Sequence, residues 1–153
     1  MRKSLFIFAP LCFIALPALA GGNCNQQTTR GFWAFTCDGY LAPAPQAPLL
    51  PARLLGTCNA SKTAYWDCEG TVNVAGQFLV QGLHGQAVNN DDCTGTITYT
   101  QTIFGGPAPD LNIRYVILDN GDTIKGLPTA GLPGDPPQVL SCVLNRMSNS
   151  EKH

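Results

Sequence analysis

Between Asn89 and Thr102 the chain reads NNDDCTGTITYTQT, a polar turn and a cysteine followed by threonine at every second position. Thr94, Thr96, Thr98, Thr100 and Thr102 share one parity, with Gly95, Ile97 and Tyr99 between them. Successive side chains of a strand point to opposite faces, so this period of two gives one hydroxylated face and one apolar face. It predicts a strand from Thr94 to near Phe104, wet outside and packed inside.

The same pattern predicts seven more strands. GFWAFTCDGYL, Gly31 to Leu41, is aromatic, with Trp33, Phe35 and Cys37 on one parity and taken as inward. The following APAPQAPLLP contains Pro43, Pro45, Pro48 and Pro51. These lack the N–H a sheet interior needs, so the stretch is expected to be an exposed connection and the longest loop. Ala52 to Cys58 and Ala64 to Val74 are predicted to pair around the polar turn NASK. Gln77 to Val88 is apolar on both faces, which leaves its facing open. GGPAPD is expected to be a loop and Leu111 to Asp119 a strand. Asn120-Gly121 is a hairpin signal, because both turn positions require positive φ, and it pairs DTIKGL back on the preceding strand. After the loop PTAGLPGDPP, Gln138 to Met147 is the last strand.

No stretch reads as a helix of three turns. Eight short strands joined mostly by hairpin-length loops predict an all-β fold, an eight-stranded up-and-down antiparallel barrel; a β-sandwich is the alternative. Closure removes two exposed edges, and eight strands suit a bore that holds side chains or one small ligand.

Composition adds a compartment. The opening MRKSLFIFAPLCFIALPALA has a basic start, an apolar stretch and a small-residue cleavage site before Gly21, the pattern of an export signal over residues 1–20. The expected mature chain, residues 21–153, is a single domain. No later segment is apolar enough to span a bilayer as a helix, so it is expected to be soluble, in the periplasm or outside the cell. Of nine basic residues two leave with the signal, so seven face ten acidic ones, a net charge of −3. With no Lys/Arg run, nucleic acid and anionic lipid are not expected partners.

Cleavage also removes Cys12 and leaves six cysteines, an even number that in an exported chain reads as disulfides. In a closed meander the first and last strands are neighbours, so Cys37 and Cys142 are predicted to staple the seam. Cys58 and Cys68 flank the NASK turn as cross-strand partners, which leaves Cys24 to Cys93. Zinc spacing is absent, and no metal or cofactor is expected.

The runs GFWAFTCDGYL, NNDDCTGTITY, YVILDNGDTIKGL and VLSCVLNR resemble a set of small exported bacterial β-barrel proteins, similar to lipocalin-like and allene oxide cyclase-like barrels. The resemblance implies the barrel and carries no catalytic residues with it; Gly31-Phe32-Trp33 meets the lipocalin G-x-W only loosely.

The residues offer modest chemistry. Trp33, Phe35, Tyr99 and Tyr115 are candidates to line a small-molecule site, since aromatic walls bind apolar ligands. They equally suit a filled core. His84, the one internal histidine, lacks an adjacent serine and reads as structural or solvated. Asp38, Asp67 and Glu69 could face one another as a hydrolytic pair or simply stand outside near turns. Arg114 is outside if Leu111, Ile113, Tyr115 and Ile117 point inward, and a buried cation if the parity is reversed. Asn59-Ala60-Ser61 matches a glycosylation sequon on a turn. The leading expectation is an exported module binding a small apolar molecule or lipid. The alternatives are a cyclase or isomerase using Arg114, Tyr115, Tyr99 and His84, and an interaction or inhibitor module acting on a protein partner through the loops Ala42 to Pro51 and Pro128 to Pro137.

Overall fold

The computed structural model describes residues 23–42, 44, 46–103, 105–129 and 137–148; the predicted export signal lies outside these. Eight strands follow in order: β1 (Gly31–Leu41), β2 (Leu50–Ala60), β3 (Tyr65–Val74), β4 (Gln77–Asn89), β5 (Thr94–Ile103), β6 (Gly106–Leu118), β7 (Thr123–Pro128) and β8 (Gln138–Arg146). Each pairs antiparallel with the next and β8 pairs with β1, so the sheet closes into the up-and-down barrel that the strand count implied.

Alternation builds the wall. On β5 the threonines Thr94, Thr96, Thr98 and Thr100 face solvent while Gly95, Ile97, Tyr99 and Gln101 are buried. On β4 the bore takes Gln81, Leu83, Gly85 and Ala87, and Phe78, Val80 and Val88 remain outside. The turn into β5 is tied by Asp92, whose Oδ1 accepts from the Thr94 hydroxyl at 2.6 Å and the Thr94 N–H at 3.0 Å. These bonds hold its carboxyl below the usual range, the hydroxyl contributing most. The β6–β7 turn has positive φ at Asn120 (56°) and Gly121 (100°), as the dipeptide requires, and also at Asp119 (52°).

Two proline-bearing stretches depart from expectation. β2 starts at Leu50, so Pro51 is in a strand, and the β7–β8 connection is longer than the one before β2. Gly106 to Asp110 are strand as well, because prolines are tolerated where a strand is an edge: β7 pairs only with Ile113 to Leu118. A bulge falls here, since β5 passes from Tyr99↔Leu111 to Gln101↔Ala108 and skips Pro109 and Asp110.

The bore is filled at one end by aromatic rings laid on glycine backbone. Phe35 covers Gly56 and Gly70, which oppose each other on β2 and β3. Tyr99 lies on its cross-strand partner Gly85, and Tyr115 on its partner Gly95. A Cβ at any of the four would fall 2.8 Å or less from the ring above it, so glycine is what lets the rings lie flat. Trp33 and Trp66 pack against each other at a tilt of 32°, with centroids 5.8 Å apart.

All three expected disulfides form: Cys37–Cys142 across the barrel seam, Cys58–Cys68 across the hairpin, and the remaining pair Cys24–Cys93. The first two join residues opposed in register and their sulfurs are buried in the bore. They fit an oxidising compartment. Among the described residues no helix is long and apolar enough to cross a membrane.

The leader, residues 23–30, seals the aromatic end. Cys24 ties it to Cys93, and Trp33 Nε1 donates to Thr29 O at 2.8 Å. Asn89 donates from its amide N–H to Gln26 Oε1 at 2.7 Å and from Nδ2 to Asn25 O at 2.9 Å. Arg146 locks it: its guanidinium sits 4.5 Å from the Trp33 ring and donates to Thr28 O and Gly121 O, each at 2.6 Å, and to Arg30 O. The planar fork answers carbonyls of the leader and of the β6–β7 turn together.

Candidate functional site: a cavity at the open end

Opposite the sealed end, the barrel opens into a cavity of about 490 Å3, inside the roughly 300–1,000 Å3 range of small-molecule sites. Its walls come from the strand ends that gather there: Leu41 of β1, Leu50 of β2, Val72 and Val74 of β3, Leu79 of β4 and Ile103 of β5. Ala42, Ala75, Ala108 and Pro109 complete the apolar surface. The polar side chains of the lining are four glutamines, Gln77, Gln81, Gln101 and Gln138. No described lining residue is charged or titratable.

Two of the glutamines are buried, Gln81 at 5 % exposure and Gln101 at 8 %. The β5–β6 bulge accounts for one of them. It takes Pro109 out of the ladder, and Gln101 Nε2 donates to the freed Pro109 carbonyl. Gln81 Nε2 in turn donates to Gln101 Oε1 at 2.7 Å. The outer rim is apolar too: Tyr40, Phe78, Val80 and Val139 stand exposed beside the lining residues Leu41, Gln77, Leu79 and Gln138.

The four aromatics singled out from sequence are all inward and buried, but in the sealed half. None of them lines this cavity; Tyr115 borders a separate depression with Arg114 and Lys125. The Tyr115 hydroxyl donates to Asn89 Oδ1. Tyr99 points its hydroxyl at Cys68 Sγ, 3.8 Å away, and donates, because a disulfide sulfur carries no proton. Burial pushes both phenols well above their ordinary range, with the neighbouring Tyr115 adding to the effect at Tyr99, so both stay neutral.

The other candidate residues face outward. Arg114 is exposed, as expected when Tyr115 and Ile117 are inside. Asp38 pairs with Arg53 at 2.5 Å and Asp67 with His84 Nδ1 at 2.8 Å, in both cases between exposed side chains. Glu69 is exposed on the same outer face of β3 as Asp67. These carboxylates do not converge on a common site in the bore, and among the described residues no group of His, Cys, Asp and Glu is arranged to hold a metal. Asn59 lies exposed in β2, two residues before the turn.

Sequence reasoning missed the glutamines. Gln101 shares the parity of Ile97 and Tyr99, so an inward amide on β5 was available to periodicity; Gln81 was hidden because β4 is apolar on both faces. Compared with protein-family models, curated proteins and solved structures, the chain has no significant match.

Proposed function

We propose that this protein is an exported carrier of a small, largely apolar molecule held in the open half of the barrel. One observation carries the reading: the bore is sealed and filled at one end and opens at the other into a mostly apolar cavity of about 490 Å3 whose described lining residues carry no charge. Covering those walls with an apolar ligand returns about 25 cal/mol for each Å2 removed from water. The walls are set by paired strands of a closed barrel, so little ordering opposes binding. The apolar rim supports entry from that end.

The described lining residues, amides and aliphatic groups, have no proton to exchange near neutral pH, which supports carriage over acid–base catalysis. The two tyrosines of the isomerase alternative are neutral and packed against glycine, and His84 and Arg114 face solvent.

Native mass spectrometry of the mature protein, purified from its own host's exported fraction, tests the reading. An excess of a few hundred daltons that disappears on denaturation is expected, and Leu79→Trp, which fills the cavity, abolishes it. A native mass equal to the bare chain less six hydrogens, together with no uptake of neutral apolar dyes, would sink the proposal.

A further inference from the structure

A purely apolar carrier has no use for a polar group at the bottom of its pocket, yet Gln81 is there. Gln101 has a structural duty, since its Nε2 satisfies the Pro109 carbonyl that the bulge releases. Among the described residues Gln81 answers only Gln101, through one of its two N–H bonds. No described residue donates to Gln81 Oε1, and the amide retains a second N–H. The donor chain Gln81 to Gln101 to Pro109 O fixes the orientation of both amides. Gln81 thus presents to a mostly apolar cavity an acceptor with two lone pairs and a spare donor.

We infer that the ligand is a neutral amphiphile: an apolar chain ending in a group that both donates and accepts a hydrogen bond, such as a primary alcohol or amide. It enters head first, with the head on Gln81 and the chain along Leu79, Val72 and Ile103 toward the mouth. This rests on the cavity being a ligand site, as proposed above. The lining selects against two related classes. An ionised carboxylate has no proton for Oε1 and meets no cation among the described lining residues. An ether of the same length leaves Oε1 without a donor. A site that hydrogen-bonds its ligand discriminates strongly against the analogue that cannot answer it.

Titration calorimetry with n-decanol, its methyl ether and decanoate tests this on the unmodified mature protein. Decanol is expected to bind at least tenfold more tightly than either of the others. Gln81→Leu should remove that preference while leaving the ether's affinity unchanged or improved, and Gln101→Leu, which releases the partner of Gln81, should weaken it. Equal affinity of the wild-type protein for decanol and the ether overturns the inference and leaves the apolar-carrier reading standing. If none of the three binds while neutral apolar dyes are still taken up, the inference falls and the carrier reading stands; if the dyes are refused as well, both fall. The wild-type ranking decides the matter even if a variant fails to fold.

Discussion

Removing the two bore disulfides one at a time separates loop closure from packing. Cys37–Cys142 closes the barrel seam across a sequence separation of 105, and Cys58–Cys68 closes a hairpin across 10. On the chain-entropy model, in which the entropy of closing a loop grows with the logarithm of its length, the first contributes about 4.8 kcal/mol and the second about 2.7 kcal/mol at 25 °C. Replacing each pair by alanine deletes two sulfurs from the same filled interior, where all four cysteines are at most 6 % exposed. The packing losses are therefore similar and largely cancel in a comparison of the two double variants. Cys37→Ala/Cys142→Ala should be less stable than Cys58→Ala/Cys68→Ala by about 2 kcal/mol. In urea, with a slope of about 2 kcal/mol/M for a domain of this size, that is a midpoint lower by about 1 M. Equal midpoints, or a less stable hairpin variant, would refute the reasoning and place the value of these bridges in local packing.

Other perturbations test the sealed end and the aromatic half. Arg146→Ala loses the Trp33 stacking and the bonds to the Thr28, Arg30 and Gly121 carbonyls, so a loss of about 3 kcal/mol in urea unfolding is expected, with faster proteolysis of the leader. Arg146→Lys keeps the charge without the fork and should recover less than half of it. Gly95→Ala sets a Cβ about 2.4 Å from the Tyr115 ring and should cost about 1–3 kcal/mol; in Tyr115→Leu the same change should cost much less, and a double-mutant cycle reads the difference. The raised phenols of Tyr99 and Tyr115 hold their protons in the folded barrel and ionise on unfolding, so their contribution is complete below pH about 10 and is lost as pH rises beyond it. The fall should reach up to about 1.4 kcal/mol per pH unit for each, and Tyr99→Phe/Tyr115→Phe should flatten alkaline unfolding curves above pH 10.

Much of the fold was legible because alternation is a local property. The threonine parity of β5, the Trp33–Phe35–Cys37 parity of β1 and the Asn120-Gly121 turn each state a facing or a reversal within a few residues. Once eight strands were in series, closure followed from the cost of open edges; closure then paired Cys37 with Cys142, the NASK hairpin paired Cys58 with Cys68, and Cys24 and Cys93 remained. The proline segments were misjudged because a missing N–H is harmful only where a neighbour needs it. Whether Gly106 to Asp110 have a β7 partner is settled by pairing, outside the reach of composition.

The site lay further from the sequence. Aromatic residues advertise a binding wall, but Phe35, Tyr99 and Tyr115 lie over glycines on adjacent strands, and that meeting depends on cross-strand register. Register likewise sets the bulge, the bulge frees the Pro109 carbonyl, and the carbonyl engages Gln101 and through it Gln81. Outside the doubly apolar β4, period-two patterning thus decided which side chains enter the bore and which remain outside. Their height in the bore, and so which end is filled and which is open, was decided by long-range pairing and by the leader folding back beneath Arg146, because contacts between distant segments leave no local periodic trace.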